Sequence, residues 1–112
     1  MSATSRQQGI VELRTYGLHP GKLEDYWRLY EREGLEIQVA ILGRMLGYYS
    51  TEIGPLNQVI HLWAYRDLAD RQERRARLLA HEGWQRYAAK VLPLIQTMQS
   101  QILVPAPFTV LS

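Results

Sequence analysis

Residues 57–71, NQVIHLWAYRDLADR, decide how the chain is read. The run opens as a strand, because Val59, Ile60, Leu62 and Trp63 are the aliphatic, β-branched and aromatic residues that suit a pleated surface. It then reaches Arg66 and turns helical, since a short carboxylate at Asp67 or Asp70 caps a helix by accepting from free backbone N–H groups. His61 stands inside the strand between two aliphatic neighbours, an ionisable ring where burial is expected.

The chain has 112 residues, enough for one hydrophobic core. Hydrophobic residues make up 46% and charged residues 21%, the balance of an ordinary globular domain. No apolar run is long enough to span a bilayer, so no membrane partner is expected. The net charge of +2 falls short of the concentrated cationic face of a nucleic-acid binder, and no nucleic-acid partner is expected. Cysteine is absent, which excludes disulfides, thiolate nucleophiles, and Cys-ligated zinc or iron–sulfur clusters. Residues 1–9 are polar and lack the apolar stretch of a signal peptide. They read as a loose tail before a single domain over 10–112, and a cytoplasmic location is expected.

Outward from the opening stretch, periodicity gives the remaining elements. Ile10 to Leu18 alternates as a strand, and Leu18-His19-Pro20-Gly21 breaks it. Leu23, Trp27, Tyr30, Gly34, Ile37 and Ile41 recur at three- and four-residue steps, which predicts an amphipathic helix stopped at Gly43. Gly34 either permits close packing or marks a bend. Met45 to Ile53 reads as a second strand and Gln58 to Tyr65 as a third, joined by a turn at Gly54 to Asn57. A helical pattern follows through Ala76, Leu79, Trp84, Tyr87 and Ile95, with Gly83 a possible divide and Pro93 near its end. Thr97 to Val104 is the last strand. The order βαββαβ predicts an α+β, ferredoxin-like two-layer sandwich, with both helices on one sheet face.

A four-residue turn would set Ser50 opposite His61, Tyr48 opposite Trp63 and Glu52 opposite Val59. Sorting by side chain assigns Val11, Leu13, Ile60, Leu62 and Ala64 to the helix-covered face. Glu12, Arg14, Tyr16, Val59, His61, Trp63 and Tyr65 then fall on the uncovered face. A second copy of the chain is the simplest cover for such aromatics, so a homodimer paired through the open sheet face is expected.

Three segments, VELRTYGLHPG (Val11 to Gly21), GYYSTEIGPLNQVIHLWAYRDLADR (Gly47 to Arg71) and FTVL (Phe108 to Leu111), resemble the NIPSNAP-domain family. The resemblance covers nearly the whole chain. It implies a ferredoxin-like fold that pairs into a dimeric α+β barrel. The wider superfamily of such barrels includes cofactor-free monooxygenases, isomerases and haem enzymes, and fold alone assigns none of them.

The candidate site follows from the polar face. His61 and Glu12 are the candidate catalytic groups, with His61 as general base and Glu12 orienting a partner. Arg14 would hold a carboxylate or enolate oxygen, and Tyr16, Tyr48, Glu52, Trp63 and Tyr65 would line the pocket with it. The plainer alternative is structural: Glu12 pairs with Arg14, and His61 is hydrogen-bonded at the interface. His19, His61 and His81 lack metal-motif spacing, and neither a metal nor a cofactor is expected. The run RDLADRQERRARLLAHEG, with Arg71, Arg74 and Arg75, reads as a solvated helix face laced with intrahelical pairs; the alternative is that these arginines bind an anionic ligand or an acidic partner. Two functions remain open. One is binding, with turnover of the cofactor-independent monooxygenase or isomerase type, of a small organic molecule in a polar-aromatic pocket. The other is a non-catalytic dimeric adaptor that binds protein.

Overall fold

The computed structural model describes residues 9–109. All but one position of the tail expected over 1–9 lies outside them. The elements run β1 (Ile10–Leu18), α1 (Leu23–Leu29), a π-helical turn (Tyr30–Gly34), α2 (Leu35–Leu42), β2 (Arg44–Ser50) and β3 (Gln58–Tyr65). They continue with α3 (Leu68–Ala80), α4 (Glu82–Val91), a 3-10 turn (Leu92–Leu94) and β4 (Ile95–Leu103). The strands form one antiparallel sheet in the order β2-β3-β1-β4. This is the ferredoxin-like α+β sandwich expected from βαββαβ.

Local chemistry explains the breaks. The side chain of Asp67 accepts from the Asp70 backbone N–H at 2.7 Å and starts α3. The break between α3 and α4 comes at His81 rather than at Gly83: His81 is extended, and its ring accepts from the Trp84 N–H. Gly34 permits close packing. It closes the π-helical turn, and it is buried so tightly that a Cβ there would lie 3.0 Å from the rings of Tyr30 and Tyr87.

The sheet faces are the reverse of the sequence expectation. Val59, His61 and Trp63 are fully buried, with Tyr16 and Tyr65 nearly so, and they face the helices. Tyr16 and Val59 pack with Tyr26, Tyr30, Tyr87 and Val91, while Trp63 and Tyr65 pack with Leu42 and Leu78. The cross-strand pairs Leu13–Leu62, Thr15–Ile60 and Val11–Ala64 therefore lie on the face without helices. The physical reason is that the helices present aromatic rings and arginines to the sheet. Such a layer needs an aromatic and ionisable partner, and it leaves the aliphatic face open.

The hairpin also differs. β2 ends at Ser50, and residues 51–57 link it to β3, with Gly54 at φ 130° and Asn57 at φ 61°. Tyr48 consequently pairs with His61, and Ser50 with Val59. The register moves by two residues, which preserves the faces but removes Glu52 from the sheet.

Candidate functional site

His61 organises the site. It sits mid-strand on β3, is fully buried, and packs between two tyrosines of neighbouring strands. The Tyr48 ring stacks on it at 4.3 Å and 6° between planes, and the Tyr16 ring meets it edge-on at 5.0 Å. The Trp63 indole, two residues along the same face, donates from Nε1 to His61 Nδ1 at 2.7 Å. An indole N–H only donates, so Nδ1 must accept and the imidazole proton must reside on Nε2. That Nε2 is buried and has no hydrogen-bond partner. Burial, and then the charge of Arg14, push the imidazole pKa down to about 3, so the ring is neutral at physiological pH. His61 is therefore built as an N–H donor. The general-base role expected from sequence requires a free nitrogen lone pair, and Trp63 occupies it.

His61 lines a cavity of about 180 Å³ between the sheet and the helices. The sheet supplies Arg14, Tyr16, Tyr48, His61 and Met98, α1 and α2 supply Tyr26 and Gln38, and α3 and α4 supply Arg75, Leu79, Trp84, Tyr87, Ala88 and Val91. Leu92 and Ile95 complete the lining. The lining includes two cations and no carboxylate. The hydroxyls of Tyr26 and Tyr48 share a 2.5 Å hydrogen bond. Burial raises both, and Tyr87, well above the usual phenol pKa, so these three are neutral.

Glu12 stands behind this wall rather than on it. Its fully buried carboxylate accepts from Arg14 Nη1 at 2.8 Å, from Arg71 Nε and Nη2 at 3.0 and 2.9 Å, and from Ser100 Oγ at 2.5 Å. Burial alone would raise its pKa. The bonds from Arg71 and Ser100 and the charge of Arg14 outweigh that and hold it at about 2. Glu12 thus orients Arg14, whose Nε also donates to the Tyr16 hydroxyl at 2.9 Å.

The remaining expected site residues divide. Arg14, Tyr16, Tyr48 and His61 line the one cavity. Trp63 supports His61 from behind, and Tyr65 lies in the core beside Leu42 and Leu78. Glu52 is exposed in the hairpin link and belongs to no part of the site, because the longer link carries it off the strand. An anion-binding role for Arg75 was the lesser of two readings from sequence. The residue comes from the stretch read as a solvated face, yet α3 turns that stripe inward: Arg71 binds Glu12, Arg74 binds Asp70 and the Ile41 carbonyl, and Leu78 is buried. Its signal was positional, since Arg71, Arg74, Arg75 and Leu78 recur at three- and four-residue steps. Among the described residues Arg75 makes no hydrogen bond or ion pair.

A ferredoxin-like domain with a donor-lined cavity between its layers is the class these features define. The NIPSNAP family model matches residues 11–110, and the chain belongs to the NIPSNAP family. It is similar to the crystal structure of a NIPSNAP-like domain protein from Burkholderia xenovorans, at 50% identity and a TM-score of 0.89 over 92% of this chain and 90% of that one. It is also 38% identical over 96 residues to Protein NipSnap homolog 2 of Danio rerio, covering 86% of this chain and 33% of that protein. The chain thus spans about a third of the length of the curated relatives it matches. A candidate antibiotic biosynthesis monooxygenase from Nitrosomonas europaea shares the fold at 9% identity, with a TM-score of 0.66 over 88% of this chain and 91% of that one. Among the described residues no helix is long and apolar enough to cross a membrane, and no cluster of three or more His, Cys, Asp or Glu is placed to hold a metal.

Proposed function

We propose that this chain binds a small organic molecule in the cavity between its sheet and its helices. One observation carries the reading: His61 lines the cavity, and its buried Nε2–H has no partner. An unsatisfied buried donor costs about 1–3 kcal/mol, and a bound acceptor removes that cost. The size fits, because an apolar cavity of about 150 Å³ is enough to hold a benzene ring. The test is ligand-observed NMR with a panel of monocyclic compounds, for the wild type and for Ala88→Leu, which fills the cavity from α4. Binding by the wild type that Ala88→Leu abolishes supports the reading. Equal binding by both proteins, or by neither, overturns it.

Turnover, where it occurs, favours a substrate that arrives already ionised. The lining offers N–H and O–H donors to an anion, and no carboxylate or free imidazole lone pair is there to remove a proton. That requirement suits the cofactor-independent monooxygenase or isomerase type better with an acidic substrate than with one needing deprotonation. The open aliphatic face of Leu13, Ile60 and Leu62 supports the homodimeric barrel, because no helix covers it. The adaptor alternative drew on the α3 arginines, and it loses ground because Arg71 and Arg74 are engaged inward.

A further inference from the structure

The placement of Arg75 narrows the ligand. A guanidinium normally finds a carboxylate when it is drawn out of water. Arg75 instead borders the cavity that Arg14 also borders, without an ion pair or hydrogen bond among the described residues. Burial, and next the charge of Arg14, lower its pKa, so the fold holds it in an unfavourable position. Such a position costs stability and suits a site awaiting an opposite charge.

Three donors then converge on one cavity: the Arg75 fork, the N–H groups of Arg14 left over from its bonds to Glu12 and Tyr16, and the His61 Nε2–H. Of their residues, His61 is fully buried and the Arg14 side chain is 12% exposed. The most exposed part of the lining is apolar. Leu79, Leu92 and Met98 are about half exposed and form the rim. A ligand matching this gradient carries its charge at one end and a compact apolar body behind it.

We propose that the cavity is a headgroup pocket for an organic monocarboxylate, with the carboxylate between Arg14, Arg75 and the His61 Nε2–H, and an apolar body of about six to ten carbons reaching toward the rim. A planar carboxylate matches a guanidinium fork, and Arg75 makes no ion pair of its own among the described residues. This inference rests on the ligand-binding reading and adds the ligand's charge.

The test is calorimetric titration at pH 7 with benzoate, phenylacetate and cyclohexanecarboxylate and their neutral amides, on the wild type and on Arg75→Gln, with melting temperatures of both. In the wild type each carboxylate binds about ten- to a hundredfold more tightly than its amide, and Arg75→Gln removes that preference. Arg75→Gln also melts no lower than the wild type, because Arg75 has no partner to lose. Amides that bind as well as carboxylates to both proteins overturn the carboxylate assignment and leave the cavity reading standing. An Arg75→Gln protein that melts well below the wild type with unchanged carboxylate preference gives Arg75 a structural role and overturns the inference. Failure of both acids and amides to bind the wild type overturns this inference and the cavity reading together.

Discussion

Replacing Glu12 by Gln tests the electrostatic frame of the site. The substitution keeps the shape of the side chain and deletes its charge. Arg71 and Arg14 are then left partly buried against a neutral amide whose NH2 donates toward other donors. Moving the Glu12 pKa from 4.5 to about 2 makes the ionised form worth on the order of 3 kcal/mol to the folded state. That agrees with the roughly 3–5 kcal/mol lost when one partner of a buried pair is removed. Glu12→Gln should therefore lower stability at pH 7 by about 3 kcal/mol, or roughly 10–20 °C in melting temperature for a domain of this size. The sign of the pH dependence follows from a folded pKa below the unfolded one. The contribution is complete above about pH 4.5 and is lost as the pH falls toward about 2. At pH 3 the wild type has lost roughly 2 of those 3 kcal/mol, and the gap between the two proteins narrows by that amount. Urea unfolding of both proteins at pH 7 and pH 3, at one fixed protein concentration, measures each gap. A gap below about 1 kcal/mol at pH 7, or one that stays the same at pH 3, refutes the claim that Glu12 is a buried anion clamped by its arginines.

Other elements make separate predictions. Gly34→Ala forces a Cβ to 3.0 Å from the Tyr30 and Tyr87 rings, so thermal melting should show a loss of about 1–2 kcal/mol despite the better helix propensity of alanine. Asp67→Ala deletes the α3 cap and should cost about 1 kcal/mol in urea unfolding. Leu62→Lys places a charge on the open sheet face opposite Leu13. If that face pairs two copies, light scattering should show the dimer of the wild type reduced to monomers, with the far-UV circular dichroism unchanged.

The strand and helix order was legible in the sequence because each element carries its own period and stop. β1 and β3 begin and end where alternation and flanking turns put them, at Ile10–Leu18 and Gln58–Tyr65. The sheet faces were not legible. Alternation separates Leu13, Ile60 and Leu62 from Arg14, His61 and Trp63, yet it does not say which set the helices cover. The rule that aliphatic residues go inside failed because Glu12 finds Arg71 across the layers, and His61 finds Trp63, Tyr16 and Tyr48. Arg14, Tyr16, Tyr48 and His61, expected together on one face, line the same cavity, since sharing a face depends on parity and not on which layer lies above. Glu52 was misplaced because the length of the hairpin link sets register, and Gly54-Pro55-Leu56-Asn57 marks a turn without fixing its length. The anion-binding reading of Arg75 ranked second because the charges around it were paired within one helix, whereas the cavity it lines also takes residues from the sheet and the other helices.

The protonation of His61 tests the account most directly. Long-range 1H–15N correlation spectra of 15N-histidine-labelled protein report which imidazole nitrogen carries the proton and whether the ring ionises. A single neutral form with the proton on Nε2 is expected, held unchanged from pH 7 down to about 4.5, well above the folded pKa of about 3. A proton on Nδ1, or a ring that titrates near 6.5, would mean that Trp63 does not hold His61 as a donor and that the cavity lacks the group on which the proposed function stands.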